Sequence, residues 1–137
     1  MLPPFAVTPL YAALCGLLLV VLSFRVIFLR GRHGVKIGDG GHDDLARAIR
    51  VQGNFVEYIP LLLLLLFLLE LSRQAPVWIL HLLGAVIFLG RILHAVGVTT
   101  QRGNAFSLPR LLGICCTFVP MTVISVWLLL VVLQRYI

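Results

Sequence analysis

The chain has 137 residues, of which 61% are hydrophobic, and it carries a formal net charge of +6. Its mean hydropathy of +1.08 excludes an ordinary soluble domain, because a chain of this length has too little interior to hide so much apolar surface. The positive charge does not indicate a nucleic-acid-binding protein, since the basic residues cluster at the ends of apolar segments. Composition therefore predicts an integral membrane protein.

Four apolar segments are long enough to cross a lipid bilayer as α-helices, each of which needs about 20 apolar residues. They cover residues 9–29, 45–71, 76–98 and 108–133. The segments that connect them are short, so neighbouring helices should pack side by side. We predict an all-α fold with a single transmembrane domain, residues 1–137, built as a bundle of four helices.

Basic residues at the segment ends predict the orientation of this bundle. Two of them, Arg73 and Arg135, lie at one end. The other nine lie at the opposite end: Arg25, Arg30, Arg32, Lys36, Arg47, Arg50, Arg91, Arg102 and Arg110. Because loops rich in Lys and Arg stay in the cytoplasm, we expect the first and third loops inside and both termini outside.

A polar stripe opens the second apolar segment, where the next residues are almost all leucine. Polar groups at membrane depth are expensive unless they pair with one another or bind a ligand, so this stripe is a candidate site. Gln52 lies about 200° around the helix from Arg50 and is predicted to face another helix or another subunit. The members that share one helical face, at spacings of three and four, are Arg47, Arg50, Asn54, Glu57 and Tyr58.

The third and fourth segments add cations at the same predicted depth. Arg91 and His94 are three residues apart, so they share a helical face, although a cation near a helix C-terminus also has a purely structural explanation. Arg110 falls in the first turn of the fourth helix, where it opposes the helix dipole and calls for an anionic partner. Arg102 lies in the preceding loop.

Arginines far outnumber carboxylates in this set, in which Glu57 is the only carboxylate inside the helical pocket. A ligand with several carboxylates would compensate the arginines through paired hydrogen bonds. Glu57 would then hold an ammonium group or a neighbouring arginine. A small zwitterionic peptide with two carboxylates and one amine fits these residues. The spacing of His and Cys residues matches no metal site, so we expect no metal.

One stretch of the second segment resembles the helix 2 signature of the MAPEG family, the membrane-associated proteins in eicosanoid and glutathione metabolism, and the short chain resembles its bacterial branch. The stretch is Arg50-Val-Gln52-Gly-Asn54-Phe-Val-Glu57-Tyr58-Ile-Pro60. The resemblance implies a homotrimer in a bacterial inner membrane, with glutathione bound between subunits as a co-substrate. It implies glutathione contacts at Arg50, Gln52, Asn54, Glu57 and Tyr58, with further contacts at Arg30, Arg47, Arg91 and His94.

The resemblance also implies a catalytic arginine near the start of the fourth helix. Arg110 is the first choice for this role and Arg102 the second, because the loop aligns loosely. A cation favours the ionised form of a thiol, which is the reactive form. The thiolate would attack a small lipophilic electrophile that arrives from the bilayer, or reduce a lipid hydroperoxide. The expected partners are the lipid bilayer, this lipophilic substrate and other copies of the chain, and no nucleic acid.

Two other functions are considered. A catalytically silent MAPEG-like binding or scaffold protein is possible, because Val98 and Ile114 stand where many related enzymes carry aromatic contacts. A small four-helix multidrug exporter would need an ionisable carboxylate in its first helix, and residues 9–29 contain none. The sequence therefore favours a membrane glutathione transferase or peroxidase, with the silent protein as the alternative.

Overall fold

The computed structural model describes residues 6–100 and 108–134, so Arg102 lies outside the described residues. The described chain forms four α-helices, each long and apolar enough to cross a membrane. They are α1 (Val7–His33), α2 (Asp43–Ser72), α3 (Val77–Thr100) and α4 (Leu108–Leu133). The all-α four-helix bundle predicted from the sequence is confirmed. Helix α1 ends at His33 rather than at residue 29, and α2 begins at Asp43 rather than at residue 45.

The bundle is arranged around the pair α2 and α3. Helix α1 packs against both of them, and so does α4. Within the described ranges α1 and α4 do not contact each other, so they lie on opposite sides of the central pair. The structure therefore has two distinct flanks, which we call the α1 flank, where α1 meets α2 and α3, and the α4 flank, where α4 meets the same two helices.

Leucines fill both the interior and the outer surface of α2. Leu62, Leu66 and Leu69 are fully buried at helical spacing, whereas Leu61 and Leu64 are about half exposed. In water this exposed face would be unfavourable, but lipid tails are as apolar as leucine and solvate it. The leucine-rich half of α2 is therefore suited to a bilayer on its outer side and to helix packing on its inner side.

Glycines bring α3 and α4 into close contact. A methyl group added at Gly90 would overlap Cys116, and one added at Gly97 would overlap the backbone of Arg110. On α4, a methyl group at Gly113 would overlap the backbone of His94. Small residues of this kind let the backbones of membrane helices approach each other. The close approach places the first turns of α4 directly beside the inner half of α3.

A buried carboxylate joins α1 to α2 at the opposite end of the bundle. The Glu70 Oε1 atom accepts a hydrogen bond of 2.9 Å from the backbone N–H of Val7. Its Oε2 atom accepts one of 2.8 Å from the N–H of Thr8. The first N–H groups of a helix have no partner within the helix. Glu70 therefore satisfies the N-terminus of α1 with a side chain from another helix.

Candidate functional site

Arg91 is the centre of a polar cluster on the α4 flank. Its side chain is only 4% exposed. The Nη1 atom donates a hydrogen bond of 2.7 Å to the Asn54 side-chain oxygen on α2. The Nη2 atom donates to the Gly113 carbonyl at 3.3 Å and to the Thr117 hydroxyl, both on α4. One guanidinium group thus links three helices, and it does so at the predicted depth of the polar stripe.

Two α4 residues of this cluster were not predicted from the sequence. The Thr117 hydroxyl accepts from Arg91 and donates at 2.8 Å to the Gly113 carbonyl one turn earlier. Thr117 is 2% exposed, although its helix is largely apolar. A signal was present in the sequence, because Gly113 and Thr117 are four residues apart and share a face of α4. Threonine is common in apolar membrane helices, so the signal was weak.

Three arginines from three helices act electrostatically on His94. Arg50 on α2, Arg91 on α3 and Arg110 on α4 all lie within electrostatic range of its ring. His94 itself is 6% exposed and packs with its backbone against Gly113. Arg110 is positioned by the contact of its backbone with Gly97. The arrangement concentrates positive charge between α2, α3 and the start of α4.

Glu57 is the carboxylate nearest to these cations along the polar stripe. Its Oε1 atom lies 3.5 Å from Nη1 of Arg50, and the two side chains are 47% and 62% exposed. Ion pairs this exposed contribute little to stability, so both groups can exchange this contact for a ligand. Tyr58 contacts Phe118 of α4 edge to face, with ring centroids 5.4 Å apart. The polar stripe of α2 therefore meets α4 through Tyr58 as well as through Asn54.

Three predicted contact residues lie elsewhere in the subunit. Arg30 donates to the carbonyls of Lys36 at 3.3 Å and Gly38 at 2.8 Å, so it holds the loop after α1. Arg47 lies 3.7 Å from Asp43 in an ion pair within α2. Gln52 donates a hydrogen bond of 3.0 Å to the Ser23 hydroxyl on the α1 flank. The prediction that Gln52 faces another helix agrees with this contact, whereas a subunit contact remains a prediction.

The cluster is chemically suited to an anion. In the described residues, no carboxylate lies within 4.0 Å of the Arg91 guanidinium, which is held by neutral oxygens instead. A buried cation with only neutral partners keeps its full charge to attract a negative ligand. Residues 6–100 and 108–134 contain no group of three His, Cys, Asp or Glu side chains placed to hold a metal ion. The positive charge of the cluster is therefore suited to an anionic ligand.

Comparison with known proteins places this geometry in a family. The sequence model of the MAPEG family matches residues 8–130, which is most of the chain. The chain belongs to the MAPEG family. This finding confirms the resemblance seen in the polar stripe of α2. Together with the four candidate spans, it makes the chain a multi-pass membrane protein of the MAPEG family that lies in a lipid bilayer.

Two curated relatives illustrate the similarity. Inner membrane protein YecN of Escherichia coli (strain K12) is 44% identical over 91 residues, which cover 66% of this chain and 69% of that protein. Uncharacterized protein sll1147 of Synechocystis sp. is 38% identical over 89 residues, or 64% of each chain. No solved structure matches this chain at a significant level.

Proposed function

We propose that this MAPEG protein is a glutathione-dependent transferase or peroxidase of a bacterial inner membrane. It acts on small lipophilic electrophiles or hydroperoxides. One observation carries the proposal: Arg91 is buried with neutral partners, while Arg50 and Arg110 lie close to the same histidine. Glutathione has two carboxylates and one ammonium group, so it would compensate these cations. The inner-membrane location rests on the name of the Escherichia coli relative, inner membrane protein YecN.

The exposed ion pair between Arg50 and Glu57 on α2 supports the proposed orientation of glutathione. Arg50 would bind a carboxylate in a paired geometry, which a planar guanidinium group favours. Glu57 would bind the ammonium group once glutathione replaces Arg50 as its partner. Asn54 is already fixed by Arg91 at 2.7 Å, so its amide nitrogen is oriented to donate a further hydrogen bond. The pocket thereby offers groups of both signs to a zwitterionic peptide.

A homotrimer would explain why some of the predicted glutathione contacts lie on the α1 flank, away from Arg91. Arg30 lies at the inner end of α1, and Gln52 faces α1, so neither reaches Arg91 on the α4 flank of the same subunit. We propose that the side of α1 and α2 that carries Arg30 and Gln52 in one subunit packs beside the α4 flank of the next. Glutathione would then bind between subunits, with Arg30, Arg47 and Gln52 supplied by the neighbour.

Arg110 is the proposed catalytic residue. Its guanidinium would stabilise the glutathione thiolate after the thiol proton leaves to solvent. With an aryl halide, the sulfur forms a bond to the ring carbon, and the halide leaves with the electron pair of its broken bond. With a hydroperoxide, the sulfur takes the terminal OH group as the O–O bond breaks, and the departing alkoxide takes a proton from solvent to leave as an alcohol. A second glutathione then condenses with the sulfenic acid to give the disulfide and water.

The proposal is tested with purified protein in detergent. We expect the wild type to bind glutathione in calorimetry and to conjugate it to chlorodinitrobenzene. Arg110→Ala should lower kcat by about 10²–10³-fold, the typical effect of removing a group that stabilises developing negative charge. Arg32→Ala is the matched control, because Arg32 is an exposed arginine at the end of α1, and its activity should equal that of the wild type. Full activity of Arg110→Ala would move the catalytic role to Arg102, and absence of glutathione binding would refute the proposal.

The catalytically silent alternative is favoured by one feature of the site. Val98 and Ile114 are aliphatic at the positions where many related enzymes have aromatic contacts, and Val98 is 6% exposed. A pocket without those rings could bind glutathione and hold no second substrate. Glutathione binding without turnover of either an aryl halide or a lipid hydroperoxide would favour this alternative.

A further inference from the structure

A second polar recess lies on the α1 flank, away from the Arg91 cluster. It has a volume of about 330 Å³. The side chains that line it come from three helices and are Arg25, Asp43, Asp44, Arg47 and Thr99. A smaller apolar recess of about 190 Å³ adjoins it and shares Arg25 and Thr99. Ala95 and Val96 form the apolar wall of this second recess. The two recesses together offer charged groups at one end and hydrocarbon at the other.

The carboxylates of the recess already have partners. Asp43 lies 3.7 Å from Arg47, and Asp44 lies 3.0 Å from Nε2 of His33. The half-buried Arg25 differs, since its Nη1 atom donates at 2.8 Å to the neutral Thr99 hydroxyl. Within residues 6–100 and 108–134, no carboxylate is within 4.0 Å of the Arg25 guanidinium. The charge of Arg25 is therefore uncompensated by its immediate neighbours.

The side chains beside Arg25 on α1 and α3 are apolar and exposed in the described subunit. Phe24, Ile27 and Phe28 on α1 are each more than half exposed, and Val96 on α3 is 47% exposed. Apolar side chains exposed on spanning helices are solvated by lipid tails. The start of α2 and the end of α3, at Asp43 and Thr100, meet Arg25 at the same level. Because spanning helices end near the hydrocarbon–water boundary, we expect Arg25 at the depth of the lipid head groups.

We propose that this recess binds one membrane phospholipid, whose phosphodiester lies against Arg25 and Thr99. Arginine and a hydroxyl are both strong donors to phosphate oxygens. The upper part of an acyl chain occupies the apolar recess beside Ala95 and Val96. Asp43 is 91% exposed at the rim and suits the ammonium group of an ethanolamine head group. Arg25 and Thr99 are not among the residues assigned to the proposed glutathione pocket, although Arg47, which also lines the recess, is assigned to both.

The proposal is tested by native mass spectrometry on delipidated full-length protein in detergent. The probe is palmitoyl-oleoyl phosphatidylethanolamine, and we expect one preferentially bound copy per chain. Arg25→Gln should weaken this binding by about tenfold, the scale of losing a hydrogen bond to a charged group. Arg32→Gln removes the same charge from an exposed position on α1 and should bind like the wild type. Thr99→Val removes the hydroxyl without changing the size of the side chain, and it tests the same site if Arg25→Gln does not fold.

Two further ligands separate the phospholipid from its parts. Diacylglycerol with the same chains lacks the phosphate, and glycerophosphoethanolamine lacks the chains, so both should bind at least tenfold more weakly, by about the same estimate. Equal binding of diacylglycerol would show that the apolar recess alone is responsible. Equal binding of glycerophosphoethanolamine would assign the recess to soluble phosphate esters. Either result overturns the proposal. Lipid binding at the wild-type level by both Arg25→Gln and Thr99→Val would also overturn it. So would a loss of lipid binding in Arg32→Gln as large as that in Arg25→Gln.

Discussion

Burial of Arg91 costs folding free energy but gives the proposed site a positive charge that can attract an anion. Moving a guanidinium group out of water has a large desolvation cost, which hydrogen bonds must offset. Asn54, Gly113 and Thr117 supply three such bonds, each to a neutral oxygen. These bonds stabilise the position of the cation and leave its charge uncompensated. The cluster therefore couples the packing of three helices to the affinity of the proposed site for an anion.

Glu70 performs a purely structural task at the other end of the molecule. Its carboxylate accepts from the N–H groups of Val7 and Thr8, so the start of α1 is bonded to the end of α2. The carboxylate is 6% exposed, and its negative charge also suits the positive N-terminal end of a helix. Both backbone groups would lose this partner if the side chain were shortened.

We predict that Glu70→Ala lowers the free energy of unfolding by about 1–3 kcal/mol, the cost of leaving buried donors without an acceptor. Glu70→Gln keeps one acceptor oxygen and should lose less. Thermal denaturation in detergent, followed by the fluorescence of Trp78 and Trp127, measures both variants. Glu57→Ala provides the control, because it removes an exposed carboxylate from the same helix. An unchanged melting temperature of Glu70→Ala would contradict the role assigned to this side chain.

The close contact between helices α3 and α4 depends on glycine residues, which have no side chain. Gly90, Gly97 and Gly113 remove the Cβ atoms that would otherwise separate the two backbones. The short separation lets Arg91 reach the Gly113 carbonyl and the Thr117 hydroxyl. It also fixes the first turn of α4, which carries Arg110, beside Gly97. Helix packing thus determines where the proposed catalytic cation lies.

We predict that Gly113→Ala destabilises the protein by about 1–3 kcal/mol, because the added methyl group overpacks the helix contact. Glutathione affinity should fall in the same variant, since α4 moves away from Arg91. Gly16→Ala is the matched control on α1, where no atom lies within 4 Å of the added methyl group. It should be neutral or stabilising by up to about 1 kcal/mol. Equal behaviour of the two variants in thermal denaturation would show that the α3–α4 contact tolerates a larger separation.

The whole molecule is polarised by its charges along the bundle. Nine Lys and Arg residues lie at one predicted end of the bundle and two at the other. Arg25, Arg50, Arg91 and Arg110 of the first group line the two polar sites described above. The charge asymmetry that would orient this membrane protein is therefore partly supplied by residues to which we assign a binding role in the two proposals.

We predict that the loops at residues 34–42 and 73–76 face the cytoplasm and the outside, respectively. Single cysteines at Lys36 and Gln74 test this orientation with a membrane-impermeant maleimide. Gln74→Cys should be labelled in intact cells, and Lys36→Cys only after the membrane is opened. The protein without added cysteines measures background labelling of Cys15, Cys115 and Cys116. Labelling of Lys36→Cys in intact cells, with Gln74→Cys protected, would reverse the assigned orientation.

The sequence by itself determined the number of helices, their spanning length and the residues of the polar stripe. These features are local: hydropathy over about 20 residues predicts a span, and spacings of three and four predict a shared helical face. The family was also recognisable, because its signature lies within one helix. Arg91 and His94 could be grouped for the same reason, since they are three residues apart.

Only the tertiary structure decided which residues meet across helices. It brings Arg50, Arg91 and Arg110 to His94 and assigns Thr117 to Arg91. It places the Arg30 side chain against the loop after α1 and turns the Gln52 side chain towards Ser23. Lateral neighbours depend on which helices pack together and on how closely glycines let them approach. In a bilayer both buried and exposed helix faces are apolar, so hydropathy alone carries little information about that packing.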